Sequence, residues 1–212
     1  YWIPPFCLFA ALVPKLFGTR ALRIGLFLIL MGASGFQLYL AAKMTPEYIE
    51  GYEEAARTVV DARVGIVLYS ASFDSGYFVF FVRKYDTEKR TIVLLSDKIL
   101  ATYKLGSVVE DKISDVSQIH FTLQTLGVRY VVIEDRRSDS KALELLREEV
   151  RKVAFVLKKA IPIKSNVPEI DGVNLLVYEY VDWKEASPNA VIRMNIPLMG
   201  KEISVALSDL NK

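Results

Sequence analysis

Between Arg23 and Lys43 the chain runs for nineteen residues without a charge, and Gln37 is the only strongly polar side chain among them. At the helical rise such a run covers about 28 Å, close to the hydrocarbon thickness of a bilayer. The pattern predicts a transmembrane helix over residues 21–42, because backbone polar groups in lipid are satisfied only within a helix or a closed barrel. Before it, Tyr1–Val13 is apolar but too short to span alone, and Pro14-Lys15 stops it. It reads as the remaining end of another membrane helix, and the pair as the last hairpin of a polytopic protein. Gly25, Gly32 and Gly35 would let a neighbouring helix approach closely.

After Lys43 the pattern changes to short apolar runs separated by polar residues. Thr45-Pro46-Glu47 has the form of a helix start, with Tyr48, Ile49, Tyr52, Ala55, Ala56, Val59 and Val60 recurring at helical spacing. Gly65–Ala71, Thr91–Ser96 and Arg129–Glu134 are rich in β-formers and read as buried strands. Ser114–Leu126, closed by Gly127, and Asp139–Lys152 read as amphipathic helices. Tyr77–Arg83 fits a strand or a buried helix; as a helix it is the first crossover. Continuous apolar strands alternating with helices point to a parallel sheet covered on both faces. Residues 153–163, 175–180, 191–197 and 203–207 look like further strands at the sheet edge, with a hairpin around Met199-Gly200. The reading is an α/β protein. It has an N-terminal transmembrane helical hairpin (1–43), then a small doubly wound, Rossmann-like α/β domain (44–212) with added antiparallel strands at the C-terminus.

Charge refines this picture. The 212 residues carry 27 Lys and Arg against 25 Asp and Glu. Lys15, Arg20, Arg23 and Lys43 are the only charged residues before Glu47, so the rest holds 23 basic and 25 acidic groups, a net charge of −2. No concentrated basic surface is available for nucleic acid. Three of the four early cations precede the long apolar run, which by the positive-inside rule puts the soluble domain outside the cytoplasm, attached to the cell (inner) membrane. Cys7 is the only cysteine, so no disulfide framework exists within one chain.

Chemistry is harder to find. In a doubly wound sheet a ligand sits outside the carboxyl ends of the strands. Those ends carry Asp74-Ser75-Gly76, Asp97-Lys98 and Asp135-Arg136-Arg137. Asp74, Ser75, Asp97 and Lys98 are the candidate substrate-binding residues, suited to a sugar or phosphate. Turn and cap chemistry accounts for the same residue types locally. No G-x-G-x-x-G follows the first strand, no phosphate-loop motif occurs anywhere, and Ser70-Ala71-Ser72 lacks the glycines of a nucleophile elbow. His120 is the only histidine and reads as a partly buried structural residue. No catalytic residue, metal site or cofactor site is expected within this chain.

Residues 67–83 (VLYSASFDSGYFVFFVR), 93–100 (VLLSDKIL), 126–135 (LGVRYVVIED) and 196–210 (IPLMGKEISVALSDL) lie behind the long apolar run. Together they resemble the C-terminal extracytoplasmic domain of bacterial polytopic glycosyltransferases of the GT-C type, the family-39, dolichyl-phosphate-mannose-protein mannosyltransferase-like group. The resemblance implies a transferase using a polyprenyl-phosphate-linked sugar donor. Its catalytic acids lie in an early outer loop that this chain does not contain. The implied partners are the lipid bilayer, upstream transmembrane helices of the same protein, and a lipid-linked sugar with its acceptor. The competing expectation is a membrane-anchored, non-enzymatic α/β domain that binds a ligand or serves a structural role.

Overall fold

The computed structural model describes residues 19–43, 47–63, 65–70, 75–104, 108–138, 140–187, 189–196 and 201–209. The chain divides into two compact units, Tyr1–Glu47 and Tyr48–Lys212.

In the first unit a single helix, α1 (Arg20–Lys43), is described. Its apolar side chains are exposed, among them Phe27, Ile29, Phe36 and Leu38. The expected transmembrane hairpin does not stand. Among the described residues no helix is long and apolar enough to cross a membrane. Gly25, Gly32, Ser34, Gly35 and Gln37 interrupt the apolar surface of α1, and Tyr1–Val13, the other arm, lies outside the described residues. The fold is therefore corrected to a mixed α/β protein without that hairpin.

The second unit begins with a two-residue strand, β1 (Ile49–Glu50), paired antiparallel with β8 (Lys164–Ser165). Helix α2 (Tyr52–Asp61) starts only after it, several residues later than the Thr45-Pro46 signal predicts. Thr45 and Pro46 lie outside the described residues, but Gly51 explains the late start. Its φ of 106° is a left-handed conformation, and a Cβ there would stand 2.9 Å from the Pro162 carbonyl oxygen. Strand pairing thus claims Ile49 and Glu50, and glycine makes the corner.

The central sheet runs in the order β3 (Ile92–Leu95), β2 (Ile66–Ser70), β6 (Tyr130–Glu134), β9 (Asn174–Tyr180) and β7 (Phe155–Pro162). The first three strands are parallel, with Leu68 opposite both Leu94 and Val131. Strands β9 and β7 add antiparallel, and β7 bulges between Leu157 and Lys159. Residues 77–83, ambiguous in sequence, lie within helix α3 (Gly76–Tyr85), which carries the chain from β2 to β3.

Alternation along the strands sorts the core into two layers. Ile66, Leu68, Ile92, Leu94, Val131 and Ile133 meet Ile119 and Leu123 of α5 (Val116–Thr125) and Leu143 and Leu146 of α6 (Lys141–Val150). Val67, Tyr69, Tyr130 and Val132 meet Tyr52, Ala55, Ala56 and Val59 of α2 and Phe78 and Val82 of α3. Each large apolar side chain so buried stabilises the fold by about 1.5–3 kcal/mol.

Both α5 and α6 are capped from their own loops. The Asp115 carboxylate accepts from Ser117 N at 2.8 Å and Gln118 N at 3.1 Å, which holds its pKa below the ordinary value, the Ser117 hydroxyl contributing most. At α6 the Ser140 hydroxyl accepts from Leu143 N at 3.3 Å. Asp111, at the end of β5 (Val108–Asp111), accepts from the Ser140 hydroxyl at 2.6 Å and from Ala142 N at 3.2 Å. Strand β5 pairs with β4 (Ala101–Lys104) in a hairpin not anticipated from sequence, reached from β3 through the one-turn helix α4 (Ser96–Ile99).

The C-terminal strands need a second correction. Only β7 and β9 extend the main sheet; β10 (Val191–Ile196) and β11 (Lys201–Ala206) form a separate antiparallel pair. Ala190, Ile192 and Leu207 join the same apolar cluster as α5 and α6, and β10 lies against α4 and β4 without pairing with the main sheet. The residues expected to turn it, Met199-Gly200, lie outside the described residues.

Candidate functional site

The chain order of the parallel strands fixes where a ligand crevice would open. Strand β2 leads through α3 to β3 on one side, and the next parallel strand, β6, returns on its other side. The carboxyl ends of β2 and β6 therefore flank a topological switch point. Ser70 ends β2 and Glu134 ends β6, and both are almost wholly buried.

Glu134 occupies this position in a defined way. Its Oε1 accepts hydrogen bonds from the Tyr69 hydroxyl at 2.6 Å and the Tyr52 hydroxyl at 2.7 Å. Period-two alternation puts the Glu134 side chain on the face of α2 and α3, where Tyr52 and Tyr69 lie. A buried carboxylate without partners costs several kcal/mol, and two phenolic donors offset that cost. Burial, followed by the negative Glu134, pushes the Tyr69 hydroxyl well above the usual tyrosine range, so it stays a donor. From α6, Arg147 donates to the Glu134 carbonyl oxygen at 2.8 Å and pairs with Glu144 at 3.0 Å. Tyr69 also stacks on Phe78 with ring centres 4.5 Å apart. At the switch point the buried Glu134 is thus bonded by the protein's own side chains.

The residues picked from sequence are placed otherwise. Asp74 lies outside the described residues. Ser75 precedes α3 in a right-handed helical conformation and makes no side-chain cap bond. Asp97 and Lys98 both lie in α4, and their charged groups face each other at 2.8 Å at the surface. Lys112 donates to the Lys98 carbonyl at 2.9 Å, tying this turn to the start of the following loop. Asp97 and Lys98 are brought together, but as a neighbouring ion pair.

Sequence reading missed Glu134, Tyr52 and Tyr69 as a group. The available signal was an acid closing an otherwise apolar strand, RYVVIE, beside a tyrosine in the equally apolar IVLYS. Burial of both strands makes each polar tip require a partner.

A second polar cluster lies on the opposite layer. His120 Nδ1 is 2.7 Å from Glu149 Oε1, and Lys152 pairs with Oε2 of the same buried carboxylate at 2.7 Å. Tyr180 sits 3.4 Å from His120 Nε2 and accepts from the Gln124 amide at 2.9 Å. The cluster joins α5, α6 and β9, which agrees with a structural role for His120. Among the described residues no three His, Cys, Asp or Glu side chains converge as metal ligands would. Comparison with protein families, with curated proteins and with solved structures gives no match.

Proposed function

We propose that the α/β domain from Tyr48 onward is a non-catalytic module of a membrane glycosyltransferase of the GT-C, family-39 type, which uses a polyprenyl-phosphate-linked sugar. The resemblance of residues 67–83, 93–100, 126–135 and 196–210 to the C-terminal domain of that group supplies the parentage. One structural observation supports the non-catalytic part: the acid at the switch point between β2 and β6, Glu134, is buried and bonded by Tyr52 and Tyr69. A carboxylate held by two phenolic donors there is engaged in holding the sheet to α2, and Tyr69 keeps the proton that it donates. The chemistry then belongs to a part of the enzyme upstream of Tyr1, and this domain stabilises the enzyme or shapes its acceptor side.

The coding sequence upstream of Tyr1 tests this parentage. The reading expects many apolar spans there, with a pair of acids in the first loop outside the cytoplasm. A start codon just before Tyr1 would sink it and leave a non-enzymatic α/β domain.

A further inference from the structure

At the opposite, amino-terminal end of β2 and β6 lies a cavity of about 470 Å³. Arg63 and Gly65 border it before β2, and Gly127 and Arg129 before β6. Trp183, Glu185, Ser187 and Ser208 border it from the C-terminal segments. None of these residues takes part in the switch-point cluster.

Its framework is fixed by backbone contacts. Gly127 has a φ of 63°, and a Cβ there would lie 2.5 Å from Ala186 N, so this wall tolerates only glycine. The Trp183 indole donates to the Gly127 carbonyl at 2.7 Å, and Ser187 N donates to the Thr125 carbonyl at 3.0 Å. The Gln124 carbonyl accepts from Gly127 N, the Leu123 carbonyl from Val128 N, and the Val60 carbonyl from Arg63 N. These carbonyls at the C-terminal ends of α2 and α5 are therefore already bonded.

Two cations face this space under different constraints. Arg129 is held by the Trp183 ring, 5.5 Å from its centre, and by Glu179, 3.3 Å from one terminal nitrogen. Glu179 also pairs with Lys158 at 3.1 Å, so it serves two cations. Burial alone would raise its pKa, but Lys158, Tyr130 and Arg129 together hold it below the ordinary value. Arg63 is exposed, and its side chain makes no hydrogen bond or ion pair among the described residues. It also has a φ of 48°, a left-handed conformation that costs a non-glycine residue free energy. At the residue after the C-cap this conformation ends α2.

We propose that this cavity binds a sugar phosphate. A phosphate monoester has three terminal oxygens and up to two negative charges. It matches two guanidinium forks and the Ser187 and Ser208 hydroxyls better than a carboxylate, whose two oxygens a single arginine satisfies. Glu185, on the same wall, is an acceptor for sugar hydroxyls, and the volume suits a ligand of hexose phosphate size. The assignment does not rest on the transferase reading, since it is argued from the cavity's own geometry and charges and not from the sequence resemblance.

The test is titration of the full 212-residue protein with glucose 1-phosphate, glucose and inorganic phosphate, followed by calorimetry in a phosphate-free, low-salt buffer. Glucose 1-phosphate should bind saturably, glucose not at all, and inorganic phosphate at least tenfold more weakly than the ester. Arg63→Gln should weaken glucose 1-phosphate binding at least tenfold at an unchanged melting temperature. Arg129→Lys, which keeps the charge and loses the fork, should weaken it several-fold. Absence of saturable binding would overturn the proposal, as would unchanged affinity in both variants. Inorganic phosphate binding as tightly as the ester would overturn the sugar assignment.

Discussion

Removing one phenolic hydroxyl from the Glu134 cluster gives the sharpest prediction. Tyr69→Phe leaves the ring and its stacking on Phe78 in place and deletes only a 2.6 Å donor to a buried carboxylate. Hydrogen bonds to charged groups contribute about 1.5–3 kcal/mol, and both partners here are buried, so water cannot substitute. For a domain of this length about 2 kcal/mol lowers the Tm by about 4–8 °C. Tyr52→Phe should cost a similar amount through its 2.7 Å bond to the same oxygen. Because both donors serve one atom, the second deletion removes more than the first. The double variant should therefore lose more than the sum of the singles by about 0.5–3 kcal/mol, the range for residues in one network. Urea denaturation of the full chain, followed by circular dichroism, measures all three. Single losses below about 0.5 kcal/mol, the level of ordinary surface substitutions, would refute the reasoning.

Further predictions follow from the same geometry. The folded state holds the Tyr69 proton more tightly than the unfolded state does. The stability this contributes is complete below the ordinary tyrosine pKa of 10.0 and is lost as pH rises past it; Tyr69→Phe should flatten that alkaline arm of a stability–pH profile. Asp115 behaves oppositely: its pKa is lowered, so its contribution is present above the ordinary 3.8 and disappears as pH falls, and Asp115→Asn should flatten the acid arm. Gly51→Ala should cost about 1–3 kcal/mol in the same urea assay, since its Cβ would meet the Pro162 carbonyl at 2.9 Å with the backbone left-handed. Asp97→Asn should stay within about 0.5 kcal/mol of wild type, because an exposed pair with Lys98 contributes little.

What was legible in the sequence follows from how local each signal is. Strands β2, β3 and β6 announce themselves because both faces are buried, which makes their apolar runs continuous. The starts of α5 and α6 are set by local capping chemistry at Asp115 and Ser140. Three features were not legible. Gly51 makes its corner for a strand partner more than a hundred residues away, so the Thr45-Pro46 signal misplaced the start of α2. The β10–β11 ribbon has the alternation of an edge strand, and only its separate pairing and its contacts with α4 and β4 reveal that it does not prolong the main sheet. The Glu134 cluster joins residues 65 and 82 positions apart, beyond any local pattern. Asp97 and Lys98, candidates from the sequence because they follow a strand, face each other as a neighbouring ion pair.

The central claim is that this domain serves a lipid-linked-sugar transferase without doing its chemistry. It is tested most directly by incubating a radiolabelled polyprenyl-phosphate-linked hexose with the 212-residue chain, and with a longer polypeptide that includes the sequence upstream of Tyr1. The chain alone should give no sugar release or transfer above the protein-free blank, and the longer polypeptide should give transfer. Turnover by the 212-residue chain, or none by the longer one, would contradict it.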